Sequence, residues 1–457
     1  MWTADAQAAT NDSRSPDIHI YNAQTSVQEQ SFLAFGSGFR GGATVATGDV
    51  NGDGIDEIIA GAGPGGTPQV RVFASSGEVL SQFFGYPKNF RGGVKVASCD
   101  FNNDGINEIL VGPGQGGTSQ VRIFSEWGEV KYTPGFAAFA KSFRGGVNVA
   151  CGDVNGDGFA DIVADVGVGA SPQVKVFNRY GKQIGSSIIP YADRDRGGVA
   201  VAVGNVDGGK ESEIITAIHR FGRSLVKVYR ANAQQTIIGQ FEGWPESFQG
   251  GYSVATGDLD NDHRDEILVG LASGGKPQLR AFEAYGKPLG TNFLAYASSF
   301  LGGVNIATGK TEATGNVKIV TAPGRNTIQG STAYQKYVEV RISEQRLYAY
   351  ENGKVVRTFL VSTGINKYPT PTGTFSILAK VQKKDYEWSY GENHPDNYDI
   401  KDVEWNLRFA PSFYLHYAFW HHNFGHRMSH GCVNIDLTNA KWIYEWADVG
   451  MPVIISS

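Results

Sequence analysis

The sequence predicts a mainly β protein in two parts. A six-bladed β-propeller comes first, its last blade closed by N-terminal strands, and a smaller β-rich domain follows. Three observations carry this. Glycine makes up 60 of 457 residues, about twice the ~7% of ordinary proteins, without a collagen period. A segment rich in glycine and aspartate recurs six times before residue 325. Beyond residue 336 the repeat stops, and short β-rich runs lead to one histidine-dense stretch.

At 457 residues the chain exceeds a single core. A net charge of −5 argues against nucleic-acid binding. No apolar run is long enough to span a bilayer. The start, MWTADAQAAT, has no apolar h-region, so no signal peptide is visible; residues 1–16 are expected to be a disordered N-terminal segment. Three cysteines are too few for a disulfide framework. Cys99 and Cys151, each at a strand end, are expected to be small core residues.

The repeat is clearest in GGATVATGDVNGDGIDEIIAGAGPGGTPQVRVF (41–73), in its close copies at 92–124 and 145–177, and in further copies from Gly197, Gly250 and Gly302. Aligned on Asp49, Asp100, Asp153, Asn205, Asp258 and Lys310, the units are 51 to 53 residues apart. Each offers four short strands separated by turn signals, and strand-rich units of this length suggest propeller blades. The sixth copy stops after KIVTAPG (318–324), two strands short, and IHIY (18–21) and SFLAF (31–35) supply the missing pair. The propeller is expected over 17–325.

Between the first two strands most units read D-x-N-x-D-G with an acid at position nine. Oxygen donors at alternate positions with a glycine at the sharp turn suit calcium; plain Asx turns are the alternative. The expected ligands are Asp49, Asn51, Asp53 and Glu57; Asp100, Asn102, Asp104 and Glu108; and Asp153, Asn155, Asp157 and Asp161. A further set is Asp258, Asp260, Asp262 and Glu266, where His263 replaces the turn glycine. The fourth loop (Asn205, Asp207, Gly209) is degraded, and the sixth begins with Lys310 and lacks a ligand set. These repeats resemble the FG-GAP repeats of integrin-type propellers. That resemblance implies a scaffold or targeting surface for a protein or glycan.

Residues 326–336 are polar and aperiodic, and they read as a linker to a domain at 337–457. Strands are expected at YVEVRIS (337–343), QRLYAYE (345–351), VVRTFLVST (355–363), within PTPTGTFSIL (369–378) and at MPVIIS (451–456), with a helix at DLTNAKWIYEWAD (436–448). Residues 380–405 are too polar for core and read as a loop.

The stretch HYAFWHHNFGHRMSHGCVN (416–434) holds Cys432 and five of the nine histidines. A thiol is strongly nucleophilic only as thiolate, and a nearby imidazole can take its proton. Gly431 lets the backbone approach closely and leaves room for donors aimed at an oxyanion. A buried, inert cysteine and a zinc site remain as alternatives on composition alone. The stretch resembles the active-site signature of the L,D-transpeptidase (YkuD-type) catalytic domain: His416, then Ser429, His430, Gly431 and Cys432, then Asn434.

That resemblance implies Cys432 as nucleophile and His416 as general base, oriented by the backbone carbonyl of Tyr417. It implies His430, Gly431 and the Cys432 amide around the oxyanion, with Ser429 and Asn434 supporting the turn. Tyr417 stands where many relatives have glycine or serine. His421 is structural or substrate-facing, and Tyr386, Trp388 and Tyr390 either line a cleft or pack a loop onto the sheet. The implied function is extracytoplasmic: a peptidoglycan L,D-transpeptidase forming 3→3 cross-links from tetrapeptide stems, monomeric, with no catalytic metal. An L,D-carboxypeptidase with the same site, or a propeller adhesin with a wall-tethering domain, is the alternative.

Overall fold

The computed structural model describes residues 16–456 except 193–194, 196, 220–224, 232–234, 246–247, 249–250, 273–275, 299, 301, 325–335, 352–353, 390, 393 and 395–396. The expected N-terminal segment (apart from Pro16) and the linker (apart from Lys336) lie outside the described residues. The chain divides into two compact units, 1–327 and 328–457. Among the described residues no helix is long and apolar enough to cross a membrane.

The first unit is built of four-stranded antiparallel sheets, one for each repeat. In the first, Ala43–Gly48, Glu57–Ala62, Gln69–Phe73 and Val79–Phe84 follow one another. The last combines Val304–Gly309 and Lys318–Pro323 with Asp17–Asn22 and Gln28–Leu33 from the other end of the unit. The second strand of every sheet is buried along its whole length, as a strand covered on both faces must be.

One device recurs where the first strands of successive sheets meet. A glycine in one sheet leaves room for a side chain of the next: Gly48 for Ser98, Gly152 for Val203, Gly204 for Thr256, Gly257 for Thr308. Gly309 of the last sheet does the same for Thr47 of the first, and a Cβ added there would stand 2.6 Å from Thr47 Oγ1. Hydrogen bonds reinforce these junctions, among them Thr44 Oγ1 to Val94 O (2.9 Å), Asn148 Nδ2 to Val199 O (2.6 Å) and Asn305 Nδ2 to Ala43 O (2.6 Å).

At the junction of the second and third sheets, Cys99 stands at the glycine position and Cys151 at the side-chain position. They are not separate core residues, as expected from the sequence, but a disulfide with a Cα–Cα distance of 6.2 Å. The close approach that elsewhere demands glycine here brings two thiols within bonding reach.

In the second unit a five-stranded sheet runs in the order Lys354–Leu360, Arg346–Glu351, Lys336–Arg341, Pro452–Ser456, Gly373–Ser376. A four-stranded sheet runs Ala379–Trp388, Tyr398–Ala410, Phe413–Tyr417, Val433–Ile435. Val338, Leu347, Val361, Leu407, Leu415, Val433 and Ile443 share one apolar core. Helix Leu437–Trp446 is capped by Asp436, whose Oδ1 accepts from the Asn439 amide (3.1 Å), and it buries Ala440 and Ile443.

The expected loop at 380–405 is instead largely a long hairpin, Ala379–Trp388 against Tyr398–Ala410. Ala379–Trp388 buries no residue and 398–405 only Val403, so this stretch lacks the alternation that marks a strand packed on a core. A register shift between Lys384 and Tyr386, with Asp402 and Trp405 at positive φ, bends the hairpin.

Candidate active site and acidic loops

The SHGC turn is fixed by its own serine. Ser429 Oγ donates to Cys432 O (2.5 Å) and accepts from the Gly431 amide (3.1 Å). Gly431 has φ +113°, and a Cβ there would stand 2.6 Å from the Phe413 ring, so both conformation and space demand glycine. The turn is pinned to the segment after strand Lys354–Leu360. Ser429 N donates to Thr363 O (3.1 Å), Ile365 N to Ser429 O (2.9 Å), and Thr363 is held in turn by Gln345 at both its amide and its hydroxyl.

His416 enters on strand Phe413–Tyr417, which pairs in parallel with Val433–Ile435 and sets His416 opposite Asn434. Its Nδ1 lies 2.9 Å from Tyr417 O. A carbonyl can only accept, so Nδ1 carries the proton and Nε2 is left as a base. Burial lowers the imidazole to about 4 despite that hydrogen bond. Cys432 is a free, half-buried thiol whose Sγ lies 3.8 Å from Ser412 O. Burial pushes it up to about 11, against the Tyr414 backbone and the Lys384 charge, which favour the thiolate. Both shifts favour the neutral forms, thiol and imidazole.

Around them stand side chains from the hairpin. The Tyr386 ring lies 4.8 Å from His416, and its hydroxyl donates to Asn406 Oδ1 (2.9 Å). Asn406 is fully buried and spends its amide protons on Val403 O and Val381 O. His430 stacks on Tyr398 at 5.2 Å and meets Tyr368 at 4.7 Å. Asn434 Nδ2 lies 2.9 Å from His421 Nε2.

The acidic loops of the first unit repeat one geometry. Asp49 Oδ1 accepts from Gly52 N (2.7 Å), Asp49 Oδ2 from Gly54 N (2.7 Å), Asn51 Oδ1 from Asp53 N (2.8 Å), and Glu57 Oε2 from Val50 N (3.1 Å). Asp100 and Asp153 hold their loops in the same way. In the loop where histidine replaces the turn glycine, His263 takes φ +70° and its amide still donates to Asp258 Oδ2 (3.1 Å). There Asp258, Asp260 and Asp262 bring carboxylate oxygens within 4.8 Å of one another. Burial, with neighbouring carboxylates adding to it, raises Glu57, Asp161 and Glu266 each to about 7. An all-oxygen set with unrelieved negative charge is one that a hard divalent cation fits.

The two remaining loops supply a cation from the chain. Arg230 pairs with Asp207 and stands 3.7 Å from Glu213, the residue matching Glu57. In the last sheet that position is Lys318, bonded to Glu29 (2.5 Å) and Glu312 (3.1 Å).

Residues 335–455 match the L,D-transpeptidase catalytic domain, YkuD. The C-terminal unit is a YkuD domain. Residues 41–79 match the FG-GAP repeat and 91–164 an FG-GAP-like repeat. The chain is similar to "Probable L,D-transpeptidase 3" of Mycobacterium tuberculosis, 32% identical over 100 residues, 21% of this chain and 36% of that protein. It is also similar to "Putative L,D-transpeptidase YciB" of Bacillus subtilis, 25% identical over 139 residues, 26% of this chain and 65% of that protein. The crystal structure of L,D-transpeptidase 3 from M. tuberculosis with a faropenem-derived adduct is 22% identical, covers 32% of this chain and 76% of that one, and gives a TM-score of 0.26. The chain thus spans less than two thirds of either curated relative.

Within the YkuD domain, His416, Tyr417, Ser429, Gly431, Cys432 and Asn434 gather around one turn. The Gly431 amide is spent on Ser429, whereas the Cys432 amide has no acceptor among the described residues. His430 lies between tyrosines. Trp388 is exposed, and Tyr390 lies outside the described residues. Sequence reasoning missed Lys384, Asn406 and Gln345. The alternation of Lys384 and Tyr386 is the only signal of the first, and nothing local marks the other two.

Proposed function

We propose that the protein is an extracytoplasmic peptidoglycan L,D-transpeptidase that forms 3→3 cross-links through a Cys432 thioester. The observation that carries this is the free Cys432 on a serine-locked turn leading into Val433–Ile435, the strand paired with the one that carries the buried His416, whose Nδ1 is committed to Tyr417 O. His416 Nε2 takes the thiol proton as sulfur attacks the carbonyl of the third stem residue. The Cys432 amide donates to the oxyanion. The C–N bond breaks, and the imidazolium returns its proton to the departing D-alanine amine. An acceptor amine then attacks the thioester, giving its proton through His416 to the regenerated thiol.

The first unit, in this reading, is a six-bladed propeller that targets or supports the enzyme. The Gly309–Thr47 fit and the Asn305 to Ala43 hydrogen bond, each joining the last sheet to the first, favour a closed ring. Calcium would be held by the loops of Asp49, Asp100, Asp153 and Asp258. There it would neutralise carboxylates of the kind that face Arg230 and Lys318 in the other two loops. The Cys99–Cys151 disulfide favours an oxidising compartment.

The test is intact mass of wild type and Cys432→Ala after a carbapenem, followed by muropeptide analysis with tetrapeptide donors. A single adduct lost in the variant, together with 3→3 dimers, is expected. Tripeptide product alone would instead make the enzyme a carboxypeptidase, and no adduct with no turnover in folded protein would end the reading.

A further inference from the structure

The hairpin Ala379–Trp388 and Tyr398–Ala410 carries several lysines, and Lys380, Lys383 and Lys401 meet oxygen. Lys380 Nζ donates to Ala447 O (2.7 Å). Lys383 pairs with Asp402 (3.4 Å), and Lys401 with Asp399 (2.7 Å), Asp385 and Glu387. Lys384 differs. Its ammonium lies over two tyrosine rings, 5.4 Å from the centroid of Tyr386 and 5.7 Å from that of Tyr414, and no carboxylate or carbonyl partners it among the described residues. It is half-buried, and its charge is felt at Cys432. The ring of Tyr386 in turn lies against His416.

A half-buried ammonium with only ring faces for company has lost part of its hydration without gaining an anion. Among the described residues its neighbours Lys383 and Lys401 pair with acids, and Lys384, whose charge is felt at the thiol, does not. The donor stem carries an anion that fits this place. The free carboxylate of the residue to be released is separated from the attacked carbonyl carbon by one nitrogen and one Cα, a span of roughly 4 Å. The second carboxylate of a diamino acid lies several bonds further away.

We propose that Lys384 anchors the free α-carboxylate of the donor's terminal residue and so selects stems that end there. The inference rests on the L,D-transpeptidase reading. A stem longer by one residue has an amide in place of that carboxylate, and Lys384 then faces no anion. The ammonium holds the leaving residue while Cys432 attacks, and it releases that residue as a free amino acid when the C–N bond breaks.

The test compares kcat/KM for a tetrapeptide donor and for its C-terminal amide, using the full chain as wild type, Lys384→Gln and Lys384→Arg. Wild type should prefer the acid by roughly tenfold or more, the range of a hydrogen bond to a charged group. In Lys384→Gln that preference should collapse to within about twofold, mostly through KM, and in Lys384→Arg it should persist. Equal loss of both donors in Lys384→Gln would place Lys384 in thiol tuning and overturn the proposal. Wild type without preference would overturn it as well. Wild type that turns over neither donor would overturn it together with the L,D-transpeptidase reading, an outcome distinct from turnover without preference.

Discussion

The two units handle charge in opposite ways. The repeat unit gathers carboxylates until several are raised toward neutrality, and in two of its loops a cation of the chain stands beside them. In the YkuD domain burial favours the uncharged forms of His416 and Cys432, with the imidazole lowered to about 4 and the thiol raised to about 11. The first unit accumulates like charge; in the second, charge would form only during the proposed reaction. The contrast can be broken or sharpened by experiment.

The largest effects belong to the neutral pair. Cys432→Ala should abolish acyl transfer, and His416→Gln should lower kcat/KM by roughly 10²–10⁴, measured by release of the terminal residue from a tetrapeptide donor. Alkylation of Cys432 by iodoacetamide should climb steadily from pH 7 toward 10, because thiolate accumulates only as pH approaches about 11. A rate already at plateau by pH 6 would mean a resting thiolate–imidazolium pair and would erase the difference between the units.

Next comes the metal. In the chelated protein Glu57, Asp161 and Glu266 titrate near 7, above their ordinary values. The folded state then binds more protons than the unfolded one between about pH 4 and 7. Stability contributed by these groups is present below that window and lost as pH rises through 7. Thermal unfolding followed at pH 5 and pH 8 with chelator should show the repeat unit less stable at pH 8. Calcium should restore it there and matter less at pH 5. Unfolding insensitive to calcium at pH 8 would leave the loops as Asx turns.

The disulfide is third. Its halves are 52 residues apart, so removing it should cost up to about 4 kcal/mol in the chain-entropy account. The readout is denaturant unfolding of Cys99→Ala/Cys151→Ala against wild type, and no change in either the midpoint or the slope would show that the noncovalent junctions suffice.

Much of this was legible because the first unit states its pattern six times. Repetition exposed the acidic loops, the truncated sixth copy and the N-terminal strands that complete its sheet. It also held the disulfide in plain view, since Cys99 occupies a glycine position and Cys151 a position otherwise held by threonine, serine or valine. That those two positions touch across a junction is a fact of packing and not of spacing. The YkuD domain speaks once. Its candidate thiol, candidate base and turn are proposed from SHGC and His416, because those roles depend on residue type. Lys384 could not be proposed in this way, because its meaning lies in the carboxylates it lacks, and the sequence around it is full of them. The hairpin escaped because strands with few buried residues need no hydrophobic alternation.

The smallest effect probes the internal cations. Arg230→Gln removes the guanidinium from Asp207 and leaves the buried Glu213 facing that carboxylate without relief. Because Arg230 is itself well exposed, water screens part of the loss, and the thermal midpoint should fall by less than in the disulfide variant. Calcium should not restore it: this loop offers Asn205, Asp207 and Gly209 where a ligand set would need further acids. Asp53→Asn in the first loop should behave in reverse. In chelator it removes one member of a crowded carboxylate cluster and costs little, and in calcium it removes a ligand and lowers the midpoint. If both variants respond to calcium alike, the internal arginine is not a substitute for the ion, and the degraded fourth loop is only a loop that drifted.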